Sequence, residues 1–386
     1  MDMPHFSMQS PESTTRRIIG ALQKRLDEHY VAPGDAFTLD LVFSGLEAPG
    51  WRFMMGPTVE LIALDKCMVP PCADTTISMS SAMLQEILRD PIGFDPRNAN
   101  SLALGGVSID GASFPAAYWL QLLKRPSAAQ QASLARSRAD APTLLAEVPY
   151  VFAPGKSPRE LLDLIIDTLE HCTPLHLRNI LDWPEVHWTL DDWRKRDGAT
   201  LLPLQSSSGK YLSVAEFIGA SSTELQGDNK ESVPSYTAGC LLPLEWDARF
   251  RLPGLPADAF SAGQLWFGRQ CTQSPATQLH CDLDHSFLAQ VMGSKRVRLY
   301  SPVQEQELYA FNTFNSFRPC HVDIGSPDLN RHPRFADAQG IDVVIEPGDL
   351  LIIPIGWFHG IWALDHVLSI SRILGSEKLT DLRDHG

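Results

Sequence analysis

From Gln264 onward the chain is a dense series of short apolar runs, among them QLWFG, FLAQVM, KRVRLY and LLIIPIG, broken off by Gly, Pro or Asp. Runs of roughly four to eight residues are too short for helices and read as strands. Short strands with Gly and Pro turns must cover each other's apolar faces, which specifies a barrel or a double-sheet jelly roll. A helical stretch, PRELLDLIIDTLE, and the segment PLHLRNILDWPEVHWTLDDW precede this region, so the second domain is expected over residues 148–386.

The first third has another texture. Ile18, Ile19, Leu22, Leu26 and Tyr30 recur at helical spacing and predict an amphipathic opening helix. The runs FTLDLVF, GWRFMM and TTISMS predict strands of an antiparallel sheet. Ser80 and Ser81 are placed to cap a short helix carrying Met83, Leu84, Ile87 and Leu88. A strand pair is expected around LALGGVSIDG, then a helix from Pro115 to Leu123. Residues 126–147, rich in Ala, Ser, Gln and Arg, read as a linker.

A length of 386 residues exceeds one ordinary core, in keeping with this division. The class is therefore α+β in two domains, residues 1–125 and 148–386. The net charge of −14 repels polyanions and disfavours nucleic acid as a partner. No stretch approaches the roughly 20 apolar residues needed to span a bilayer. The N-terminal MDMPHFSMQSPESTTRR lacks the apolar core of a signal peptide. Seven cysteines without a CxxC pair read as reduced thiols of a cytoplasmic protein.

The chemistry concentrates in LHCDLDH. In a strand, residues i and i+2 share a face, so His280 and Asp282 point one way while Cys281 points the other. Iron(II) oxygenase sites use two imidazoles and one carboxylate and leave positions open. IIPIGWFHG supplies a distant third candidate, His359, just after an apolar strand. An HxD pair alone occurs by chance; the sequence after it adds weight. FLAQVM-GS-KRVRLYSP reads as two strands joined by a two-residue hairpin turn. Alternation sets Lys295 with Val297 and Leu299, opposite Arg296 and Arg298. An inward lysine is costly unless an anion meets it, whereas a lysine at a strand end can also reach solvent.

The stretches TQLHCDLDHSFLAQVMGSKRVRLYSP, VDIGSPDLNRHPRF and VIEPGDLLIIPIGWFH resemble the JmjC and cupin-like oxygenases, closest to the factor-inhibiting-HIF asparaginyl hydroxylases; DWPEVHWTLDDW and SYTAGCL match more loosely. The resemblance covers residues 148–374. It implies a double-stranded β-helix with flanking helices, and an Fe(II) ion on His280, Asp282 and His359. It further implies 2-oxoglutarate gripped by Lys295 with help from the Thr277 and Tyr236 hydroxyls, O2 as co-reactant, and hydroxylation of a C–H bond in a small-molecule, carrier-bound or peptide substrate. Desaturation or demethylation would begin the same way, and a barrel that keeps the metal but only binds a partner is the alternative. The bland readings are a strand-start threonine for Thr277, a core tyrosine for Tyr236, a turn residue for Asp349, packing for Trp357 and Phe358, and a loop histidine touching substrate or solvent for His285.

The pattern departs from the family in places. The stretch from Gly268 to His280 is longer than usual, and Ser286 and Arg372 stand where the asparaginyl hydroxylase has asparagines. Arg372 is an extra cation that either assists the cosubstrate or serves structure. Residues 36–124 resemble sterol-carrier-protein-type domains through Trp51, Phe53 and Met54, TTISMSSAMLQEIL, and GGVSIDG followed by a helix ending in LQLL. That resemblance implies an apolar tunnel for a lipid-like ligand; the same unit could serve only as scaffold.

Overall fold

The computed structural model describes residues 11–44, 50–64, 72–93, 106–203, 211–223, 235–269, 273–375, 378–379 and 382. The start of the N-terminal tail, the leading half of LALGGVSIDG, Cys67 and Cys271 lie outside the described residues. The chain forms two compact units, residues 1–127 with 312–316, and residues 128–311 with 317–386.

In the first unit, α1 (Pro11–His29) buries Ile18, Ile19, Leu22 and Leu26 along one face, as the helical spacing requires. Strands β1 (Phe37–Phe43), β2 (Trp51–Met55), β3 (Val59–Ala63), β4 (Thr75–Met79) and β5 (Val107–Gly111) form one sheet in the order β3-β2-β1-β4-β5. The sheet is mixed, which corrects the antiparallel expectation: β4 runs parallel to β1. The β2–β3 excursion supplies the long connection that parallel neighbours need. Helix α2 (Ser81–Arg89) starts on Ser80, whose hydroxyl accepts from the Met83 N–H at 3.0 Å. In α3 (Ser113–Leu122), Trp119 sets its ring 5.4 Å from Phe53, edge to face.

The second unit opens with α4 (Ala128–Asp140), where a linker was expected. Ala, Gln and Arg are strong helix formers, and the few residues that face inward (Ser133, Leu134, Ser137) are mostly small and polar, so no apolar stripe marked them. Then come β6 (Tyr150–Phe152), α5 (Pro158–Glu170), β7 (Leu175–Arg178), α6 (Leu190–Arg196), β8 (Leu201–Pro203), β9 (Tyr211–Ser213), α7 (Val214–Thr223), β10 (Tyr236–Leu241) and α8 (Leu244–Arg249). Ser157 with Glu160 and Thr189 with Asp192 close capping boxes on α5 and α6.

The barrel strands follow: β11 (Gln264–Gly268), β12 (Thr277–Asp282), β13 (His285–Met292), β14 (Lys295–Tyr300), β15 (Phe317–Pro319), β16 (Ile341–Ile345), β17 (Leu350–Ile353), β18 (Phe358–Ala363) and β19 (Val367–Leu374). They build a seven-stranded sheet, β10-β11-β19-β13-β17-β7-β6, and a five-stranded sheet, β15-β12-β18-β14-β16. Leu288, Leu351 and Ile353 of the first sheet pack in one buried cluster with Val297, Leu299, Val343, Ile345 and Ile361 of the second. Each such side chain contributes roughly 1.5–3 kcal/mol on burial.

The expected β13–β14 hairpin is corrected by this topology. The two strands lie in different sheets, and Gly293–Ser294 is the corner between them. Gly293 has φ +64°, and a Cβ there would run into the His366 carbonyl and the Asp365 carboxylate. Strand β13 is buried along its whole length instead of alternating, because it is central in its sheet and covered on both faces.

Candidate metal centre

Strand β12 sets Leu279 and Cys281 into the core, leaving the His280 and Asp282 side chains on the opposite face, 15% and 21% exposed. Beside it runs β18, buried throughout, and its register places His359 directly across from His280. The two imidazoles lie 4.3 Å apart, centroid to centroid. Candidate ligand atoms of His280, Asp282 and His359 all fall within 4.8 Å of one another.

The ring nitrogens are sorted by their partners. His280 Nδ1 lies 2.8 Å from the Gln278 carbonyl and His359 Nδ1 lies 3.1 Å from the Trp357 carbonyl. A carbonyl can only accept, so each Nδ1 carries a proton, and Nε2 is the nitrogen each neutral ring would offer to a metal. Both Nε2 atoms stand 3.8 Å from an oxygen of Asp282, beyond hydrogen-bond range. Burial, with His280 nearby, pushes His359 down to about 4, so it stays neutral, the form that binds metals. Two imidazoles and one carboxylate, converging without bonding to each other, fit a divalent transition metal such as iron(II). Phe317, which the sequence did not single out, sets its ring 5.6 Å from His280, edge to face.

Deeper in the same unit lies a second constellation. Lys295 heads β14 with 1% exposure, and its burial alternates along the strand with Val297 and Leu299 as expected. Among the described residues no ion pair or hydrogen bond holds its ammonium. Nζ faces the rings of Tyr236 and Trp266, each 5.7 Å away. Burial alone pushes Lys295 down to about 7. Among the described residues the hydroxyls of Tyr236 and Thr277 are buried without partners, and burial raises the Tyr236 hydroxyl. Register ties these groups together: Thr277 and Val297 flank Ile361 from opposite sides, and Lys295 sits two residues from Val297. Tyr236 lies opposite Gly268, whose φ is +127° and where a Cβ would meet the Tyr236 backbone. A buried amine and two buried hydroxyls, brought together by strand register, make a lining that suits a carboxylate.

Trp266 was missed because LWF is apolar throughout and gives no sign of which face each residue takes. Its indole N–H donates to Ser371 at 2.8 Å, which fixes the ring.

Other candidates go elsewhere. Arg372 is committed to structure, donating to the Asp247 and Phe250 carbonyls and pairing with the Asp247 carboxylate at 2.9 Å. His285 is not in a loop: it begins β13, 4% exposed, and its Nδ1 accepts from the Ile355 N–H. Ser286 is buried in the same strand. Asp349 holds a turn, accepting from the Glu346 and Asn179 N–H groups and pairing with buried His176 at 2.8 Å. Trp357 and Phe358 are packed at 1% exposure.

Residues 218–372 match the family model described as a cupin-like domain. The chain is 42% identical over 106 residues to lysine-specific demethylase 8 of Xenopus tropicalis, covering 28% of this chain and 23% of that protein. To lysine-specific demethylase 8 of Danio rerio it is 28% identical over 242 residues, 58% of this chain and 57% of the relative. To tRNA wybutosine-synthesizing protein 5 of Danio rerio it is 42% identical over 132 residues, 32% and 39%. The matches thus span between about a quarter and just over half of these relatives. They carry a kinship with cupin-like JmjC proteins and do not single out the asparaginyl hydroxylase.

Proposed function

We propose that the chain is an iron(II)- and 2-oxoglutarate-dependent oxygenase that hydroxylates a C–H bond of a small-molecule, carrier-bound or peptide substrate. The observation that carries this reading is the coincidence of two arrangements of donor groups in one barrel. One is a two-imidazole, one-carboxylate donor set. The other is a buried lysine with two orphaned hydroxyls.

His280 and His359 would hold iron through Nε2, and Asp282 through its carboxylate. Lys295 would meet the far carboxylate of 2-oxoglutarate, with Tyr236 and Thr277 donating their hydroxyl protons to it. When bound, iron(II) and 2-oxoglutarate together supply the power to insert one atom of O2 into a C–H bond, giving succinate and carbon dioxide. The chain's residues hold, orient and exclude water; the Gln278 and Trp357 carbonyls keep both imidazoles in the ligating tautomer.

The relatives' names point to lysine in one case and to tRNA in another. The net charge of −14 favours the former class over a polyanion. Residues 1–125 are proposed as a sterol-carrier-like unit that holds or presents an apolar substrate; native mass spectrometry of ligands co-purifying with the full chain tests this, and a clean apo mass under gentle conditions counts against it. For the metal, anaerobic iron(II) titration is expected to give one ion per chain in the wild type and none in His280→Ala or Asp282→Ala. Stoichiometric iron in both folded variants would refute the triad.

A further inference from the structure

The turn Pro354–Trp357 joins β17 to β18 and sets where His359 enters its sheet. Three separate elements grip it. The Gly356 N–H donates to the Asp282 carbonyl at 3.0 Å. The Ile355 N–H donates to His285 Nδ1 at 3.2 Å. The Ile355 carbonyl accepts from the Ser137 hydroxyl of α4 at 2.5 Å. Alongside, Trp357 donates its indole N–H to the Cys172 carbonyl at 2.7 Å.

Two of these bonds come from the strand end that carries Asp282 and the residue three beyond it. They zip the turn before one candidate ligand to the turn after another. We propose that His285, acting as a buried hydrogen-bond acceptor and assisted by Ser137, is a positioning residue that fixes His359 relative to His280 and Asp282. This rests on the metal reading above. The acceptor role sets the tautomer: Nδ1 is bare and Nε2 carries the proton. Burial pushes His285 down to about 4, so the ring stays a neutral acceptor at neutral pH. Removing the acceptor leaves the Ile355 N–H stranded in a dry turn, and the turn must shift to find another partner. Ligand spacing, not ligand chemistry, is what changes.

The test uses the full chain and cobalt(II) alone, with affinity followed by calorimetry and the ligand field by the cobalt absorption spectrum. His285→Leu is expected to weaken cobalt binding by about tenfold or more and to alter the spectrum, the scale typical of removing an outer-shell partner. His285→Asn, whose side-chain oxygen takes the place of Nδ1, is expected to stay close to wild type in both. Wild-type affinity in the Leu variant overturns the proposal, and so does equal weakening in the Leu and Asn variants, which would make the imidazole mere packing. Should the Leu variant not fold, Ser137→Ala decides: weakened binding supports the clamp and unchanged binding overturns it. A wild-type chain that binds no cobalt instead sinks the metal reading itself.

Discussion

Lys295 is the side chain on which the reading leans hardest. A buried ammonium without a counter-ion destabilises a protein, and this one is held down to about 7 by burial. The unfolded value is about 10.4. Between the two, the unfolded chain binds the proton and the folded one does not, so stability of the ligand-free protein should rise with pH across that window. The cost is felt in full below it. Lys295→Met keeps the packing and removes the cost, so the melting temperature at pH 7 should increase, by roughly 2–4 °C per kcal/mol relieved. The same variant should lose about 2–5 kcal/mol of 2-oxoglutarate affinity. A variant that melts lower and still binds 2-oxoglutarate as wild type would mean the lysine has a structural partner. An arriving carboxylate should also re-protonate Lys295, so above pH 7 binding should take up a proton and weaken as pH climbs. Calorimetry in buffers of different ionisation enthalpy reads that proton directly, and zero uptake at pH 8 would contradict it. Asp349 is the opposite case. Burial alone would raise it, but bonds from His176, Asn179 and Glu346 prevail and hold it below the usual carboxylate range. Its contribution is present above about pH 4 and is lost as the solution is acidified through the lowered folded value. Asp349→Ala should cost about 3–5 kcal/mol, the scale of stripping one partner from a buried pair, and denaturant titration checks it. A loss under 1 kcal/mol would show the turn stands without it.

At the scale of elements, strand period carried most of what could be read. His280 and Asp282 share a face and Lys295 points inward because side chains alternate, and alternation is a local property. Connections were less legible. Gly293–Ser294 looks like a hairpin turn, yet the segment Leu364–His366 meets it from far along the chain and makes it a corner. Gly293→Ala should therefore destabilise by about 1–3 kcal/mol, since both the positive φ and the lack of room count against a side chain. A variant as stable as wild type in urea would show that the corner relaxes freely. For His285 and Arg372, sequence offered a cation or a loop histidine. Which backbone groups would meet them depends on the turn before β18 and the end of α8, neither of which sequence proximity reveals. Helix α4 was hidden for a different reason: it buries Ser133 and Ser137, not an apolar stripe.

At the scale of the molecule, one unit supplies every group assigned to metal and cosubstrate, and the other supplies none of them. The jelly-roll topology explains the assembly of the site: strands that alternate between two sheets bring residues separated by 79 positions, His280 and His359, into cross-strand register. Such a barrel could also bind without turning over, and only chemistry separates the two. The most direct test is to incubate the full chain with iron(II), 2-oxoglutarate and O2 and measure succinate. The wild type should form succinate even without its substrate, slowly and uncoupled, while Asp282→Ala and Lys295→Met should form none above a metal-only control. No succinate from an iron-loaded wild type, with or without candidate substrates, would contradict the oxygenase reading and leave a metal-binding barrel.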